Sequence, residues 1–119
     1  PIPHDPATGK VVSFPLNAPS PHAHDVASGF SLLVDVEPGP DGALYALSQG
    51  DSPGNVPAAS PAAPDSGELL LVNRNGSLTE LVDELDLPTS LDFVGDTAFV
   101  TTLNGEVWKI TNVSKFDNQ

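Results

Sequence analysis

The chain has 119 residues, with 16 acidic side chains against four basic ones and a formal net charge of −12. Such a surface repels phosphate backbones and anionic lipid, so nucleic-acid and membrane-surface binding are excluded, while solubility, cationic partners and divalent ions are favoured. The absence of cysteine removes disulfides and thiol chemistry, and no segment is long and apolar enough to cross a membrane as a helix.

In chain order, Lys10–Leu16 and His22–Ala27 read as a first pair of strands. Leu32–Val36 and Ala43–Leu47 follow, joined by the tight turn Pro40-Asp41-Gly42. The stretch from Asp51 to Ser66 contains four prolines and almost nothing that can fill a core, and it reads as an exposed inserted loop. Glu68–Asn73 and Leu78–Val82 flank an Asn75-Gly76 turn. The apolar spacing of Leu78–Leu85 also fits an amphipathic helix, but the Asn-Gly turn before it favours a strand. Ser90–Val94, Thr97–Leu103 and Glu106–Thr111 complete the set, the last two joined at Asn104-Gly105.

These elements repeat. Leu33-Val34-Asp35-Val36, a turn, and Ala43-Leu44-Tyr45-Ala46-Leu47 correspond to Leu91-Asp92-Phe93-Val94, a turn, and Thr97-Ala98-Phe99-Val100-Thr101. Each copy leads to a strand opening on Gly-Glu, at Gly67-Glu68 and at Gly105-Glu106. Tyr45 and Phe99 lie 54 positions apart, and the first copy carries 16 additional residues, leaving a period of 38. That is close to the roughly 40-residue period of a four-stranded propeller blade.

The expected fold class is therefore all-β: a partial β-propeller of four-stranded antiparallel blades, about two and a fraction of them, completed by other polypeptide. Residues 1–30 form the outer strands of an incomplete first blade, 31–85 a full blade with the inserted loop 51–66, and 86–119 a partial last blade with a C-terminal tail. The chain starts at Pro1 and has no methionine, which predicts a processed fragment whose remaining blades come from the same precursor. Closure by other copies fits less well, because head-to-tail joining would duplicate a strand. Apolar residues near the two ends, Val11, Val12, Phe14, Val107, Trp108 and Ile110, should want partners there.

The segments Gly39–Tyr45, Gly67–Leu70, Leu87–Leu91 and Gly105–Ile110 resemble the ScyD/ScyE family of secreted propellers, related in pattern to NHL-repeat and SMP-30/gluconolactonase-like propellers. The resemblance covers roughly residues 26 to 111 and rests on turn and strand residues. It implies an extracellular or cell-surface propeller and does not imply an activity.

Candidate chemistry is sparse. His22 and His24, two apart, would share one face of a strand and form half of a zinc or copper site. Asp35 and Asp92 occupy corresponding places on the innermost strands, where acids can line a central channel and hold a cation such as calcium. A solvated polar face and ladder partners are the plainer readings of the two pairs. No catalytic motif of the Gly-x-Ser-x-Gly type is present. Asn75-Gly76-Ser77 and Asn112-Val113-Ser114 are sequons, which makes Asn75 and Asn112 glycosylation sites in a chain secreted through an endoplasmic reticulum.

The function expected from this sequence is a non-catalytic extracellular scaffold or binding module with no cofactor. Its partner contacts fall on the face that bears loop 51–66, through Asp51, Asn55, Asp65 and Thr89. That face should also hold Ser28–Phe30 and Asp83–Thr89. The alternative is a metal-dependent hydrolase of lactonase type, its channel ion held by inner-strand acids. The expected core is Val34, Val36, Leu44, Leu47, Leu69, Leu71, Leu91, Phe93, Phe99 and Trp108.

Overall fold

A computed structural model describes residues 9–17, 19–20, 22–30, 32–50 and 62–116. Nine strands are present among them: β1 (Lys10–Ser13), β2 (His24–Ser28), β3 (Leu33–Pro38), β4 (Leu44–Ser48), β5 (Gly67–Val72), β6 (Leu78–Leu85), β7 (Pro88–Val94), β8 (Thr97–Thr102) and β9 (Val107–Ile110). A short helix, α1 (Val113–Phe116), follows β9. Leu78–Leu85 is a strand over its whole length, as the Asn-Gly turn before it requires. That turn closes on Gly76 at φ 91°, which suits a residue without a Cβ.

The strands form three antiparallel sheets of two, four and three strands, ordered β1-β2, β3-β4-β5-β6 and β7-β8-β9. The middle sheet has an apolar layer on each side, because side chains alternate across β4 and β5. Ala46 and Leu70 face one way and pack with Val11 and Ala27 of the first sheet. Tyr45, Leu47, Leu69 and Leu71 face the other way and pack with Leu91, Ala98 and Val100 of the third. The middle sheet is thus sandwiched, and the three sheets stand in a row.

The second layer is the larger. Tyr45 stacks at a tilt on Phe93, with ring centroids 4.8 Å apart. Gly39 makes room for that pair, since a Cβ there would come within 2.7 Å of the Tyr45 ring. Val113 of α1 is fully buried in the same layer. Its amide bonds the Asp96 carbonyl, while the Asp96 carboxylate accepts the Ser114 amide at 2.7 Å and its hydroxyl at 2.9 Å. One turn residue therefore accepts both backbone donors that open the helix.

The repeat is written into the backbone. Leu32 and Leu87 both adopt left-handed φ, 52° and 50°, just before β3 and β7. Both carbonyls accept the amide that follows the neighbouring strand, from Gln49 at 2.8 Å and Leu103 at 3.0 Å. A bulge then sits at the same place in each ladder, between Leu33 and Asp35 and between Pro88 and Ser90. Glu37 faces Tyr45 and Asp92 faces Phe99, so it is Glu37 that corresponds to Asp92; Asp35 corresponds to Ser90. The expected equivalence of Asp35 with Asp92 is two residues out: the bulges cancel between the copies, and the turn after β3 is longer than the turn after β7, which hides the register from the sequence.

Part of the expected core is not covered. Leu47, Leu69, Leu71 and Leu91 are buried, and Phe93 and Phe99 are half-buried. Val34, Val36, Leu44 and Trp108 are exposed, Trp108 at 40%. The first three lie over β3 and the start of β4, beyond the reach of a two-stranded first sheet. Trp108 lies on β9, the outer edge of the third sheet, and its indole N–H donates to Glu106 Oε1 at 3.1 Å. Of the terminal apolar residues, Val11 and Ile110 find cover, whereas Val12, Phe14 and Val107 stay exposed.

Candidate functional site

Two groups of polar residues are assembled by this arrangement. The first lies at the seam between β3 and β7. Asp35 Oδ1 accepts the Val36 amide at 2.8 Å, and Asp35 Oδ2 accepts the Leu91 amide at 2.7 Å from the neighbouring sheet. Asp92 Oδ1 accepts the Phe93 amide at 2.9 Å. Glu37 stands between them. The charge of Asp35 holds its carboxyl above the ordinary carboxylate range, with smaller contributions from desolvation, a hydrogen bond to Asp35 and the charge of Asp92.

Chemically, this seam is a cluster of acids already in use. Both Asp35 oxygens are turned into backbone amides, which fixes the carboxylate as a clasp between sheets. Among the described residues, no three His, Asp or Glu side chains are grouped as a ligand set for a metal ion.

β2 begins at His24, with His22 just before it, and both residues are exposed. Asp25 pairs with Lys10 at 3.7 Å, an exposed contact worth little.

The second group lies on the face that carries the inserted loop. Asp51 and Asn55 fall outside the described residues. The ends of the loop are close together: Gln49 Oε1 accepts the Ala62 amide at 3.1 Å, and Ser66 packs directly on Gly50. Asp86 ties this face to the next sheet, since Oδ1 accepts the Asp65 amide at 3.2 Å and Oδ2 accepts the Asn104 side-chain amide at 3.0 Å. Asp65 thus joins the Asp83–Thr89 segment as expected, and its side chain is exposed. Thr89 is turned inward at the β7 bulge, where its hydroxyl meets Thr101 at 3.2 Å. Ser28 does not belong to this face: its amide donates to the Gly76 carbonyl at 3.2 Å, in the turn expected opposite.

The sequons differ in surroundings. Asn75 is exposed on the β5–β6 turn, and its Oδ1 accepts the Ser77 hydroxyl at 2.6 Å and amide at 3.0 Å. Asn112 is exposed at φ 57°, but Ser114 beside it is engaged by Asp96.

Glu37, Asp86 and Asp96 were not singled out by the sequence. Asp96 follows a turn glycine and Asp86 sits in the Asp-Leu-Pro link before β7, and aspartate beside a turn is a signal for side-chain-to-backbone bonding. No family model, curated protein or solved structure matches the chain.

Proposed function

We propose that this chain is part of an extracellular β-propeller that serves as a non-catalytic scaffold or binding module, with partner contacts on the face bearing loop 51–66. Support for the propeller comes from a row of antiparallel sheets whose left-handed leucines and bulges recur at matching places. The turn and strand residues shared with ScyD/ScyE propellers point the same way, and the secreted location rests on that resemblance. The remaining blades would be supplied by the same precursor.

The observation that carries the non-catalytic reading is how the acids are used. Asp35, Asp86, Asp92 and Asp96 each accept donors from the fold itself. A lactonase-type hydrolase needs several carboxylates free to converge on one channel ion. Loops held at one end of a rigid sheet are instead suited to binding.

The alternative, a metal-dependent lactonase, draws on Glu37, whose raised pKa reflects carboxylate repulsion that a cation would relieve. Calorimetric titration of the chain with calcium and with zinc, alongside pH-stat assays on five- and six-membered lactones, separates the two. The scaffold reading expects no saturable ion binding and no turnover. Calcium-dependent hydrolysis lost in Asp92→Asn would replace it with the enzyme.

A further inference from the structure

The repeat supplies an internal comparison between the two faces that a preceding sheet covers. Val36 pairs with Ala46 in the middle sheet as Leu91 pairs with Val100 in the third. Leu44 and Ala98 correspond in the same register. In the third sheet these positions are buried, Leu91 at 3% and Ala98 at 0% exposure, in a layer that holds Tyr45 and Leu47 of the sheet before and Val113 of α1, with β3 and β4 lying against β7. In the middle sheet Val36 is 41% exposed and Leu44 38%, because among the described residues the sheet before it contains only β1 and β2.

The uncovered region is a groove of about 390 Å³ lined by Lys10, Val11 and Val12 of β1 and by Leu33–Val36 of β3. No residue of β2 lines it, so it runs along the side of β1 that faces away from its partner strand. Among the described residues nothing pairs with that edge of β1. The groove therefore offers an unpaired strand edge and an apolar wall together, and it is continuous with the apolar layer of Val11, Ala46 and Leu70.

We infer that this groove is the seat of an added antiparallel strand pair, a β-hairpin apolar at alternate positions, which hydrogen-bonds along β1 and covers Val34, Val36 and Leu44. The inference rests on reading the three sheets as successive members of one row. Backbone pairing along an open edge gives such additions their affinity, and side chains at alternate positions give them selectivity. The occupant's chemistry follows from the equivalent layer, which Tyr45 and Leu47 of the β3–β4 hairpin share with Leu91 and Ala98. A large apolar pair at that spacing is what Val36 and Leu44 call for. A second copy of the chain is disfavoured by its net charge of −12.

The test uses the full chain and a head-to-tail cyclised peptide of residues 32–49, which reproduces the β3–β4 hairpin, with a scrambled cyclic peptide as control. Val36→Cys introduces the sole thiol of the protein. Saturating hairpin peptide is expected to slow labelling of that thiol at least tenfold and to protect the amides of Lys10–Ser13 from exchange, whereas the scrambled peptide does neither. Val36→Asp should abolish hairpin binding with the circular dichroism of the sheets unchanged. Unaltered labelling, or protection confined to Val107–Ile110, would overturn the assignment of the seat. Concentration-dependent self-association that shields the thiol without peptide would make a second copy the occupant and overturn the choice of partner. Lactone hydrolysis, which would defeat the scaffold reading, is a separate readout.

Discussion

The Asp35 carboxylate accepts the Leu91 amide at 2.7 Å across 56 residues of sequence, joining the first strands of two sheets that share no ladder. Hydrogen bonds to charged groups contribute about 1.5–3 kcal/mol when they replace none. Asp35→Ala should therefore lower stability by about 1–3 kcal/mol in urea denaturation, with the exchange of the Leu91 amide accelerated more than that of Val100. Asp35→Asn, which keeps an acceptor oxygen, should lose less. Equal exchange rates at Leu91 in the parent and Asp35→Ala would remove the clasp from the account.

Glu37 gives the fold a pH dependence of definite sign. Its carboxyl titrates above the ordinary range in the folded chain, chiefly through the charge of Asp35. Below its unfolded pKa its contribution is fully present; as pH rises through the folded value, that contribution is lost. Glu37→Gln should flatten the stability profile across the carboxylate range and raise stability at neutral pH. A parent profile unchanged by the substitution would show that Asp35 does not act on it.

Two aromatic residues, Tyr45 and Trp108, should behave differently. Tyr45 is 1% exposed and closes the layer between the second and third sheets, so Tyr45→Ala should cost about 3–5 kcal/mol by chemical denaturation. Trp108 is 40% exposed on an edge strand, and Trp108→Ala should cost clearly less. Equal losses for the two would mean that the indole is buried after all.

Asp96 holds α1 by the amide and hydroxyl of Ser114, and α1 holds Val113 in the core. Asp96→Ala should free the helix and cost about 1–2 kcal/mol, the range for loss of a helix cap. Val113→Ala should cost more, because it opens a space between two sheets. A helix that keeps its amide protection in Asp96→Ala would show that Val113 alone retains it.

Deleting Ser52–Pro64 should leave the sheets folded, because Gly50 and Ser66 already lie against each other and longer loop closures cost little in either direction. Unchanged circular dichroism and a cooperative urea transition are the expected results. A collapse of the β4–β5 ladder would show that the loop is part of the core.

How much of this was legible in the sequence depends on the kind of residue. All nine strands were readable, since their apolar alternation is bounded by Gly and Asn-Gly turns, and the two-four-three division followed from the repeat. The bulges were not, because Val34 and Thr89 look like ordinary strand residues, and the unequal turns after β3 and β7 hid that Asp35 corresponds to Ser90 and Glu37 to Asp92. Nor were the left-handed leucines, which carry a side chain that disfavours the conformation they adopt. At the candidate site, Asp65 lies beside the Asp83–Thr89 segment, where its amide bonds Asp86. The acids that tie the sheets together were missed where their partners are backbone amides distant in sequence, as Asp86 and Asp96 illustrate.

A row of sheets has no centre, only neighbours. The middle sheet rests on two apolar layers and each outer sheet on one, so fluctuation should grow toward the ends of the row. Amides of Ala46 and Leu70 should exchange slowest, and those of β1 and β9 should open in events that leave the middle untouched. Such opening needs no global unfolding. The chain can loosen its terminal strands while its inner ladders hold their register, so an arriving strand would meet a template that is firm within and yielding at its margins.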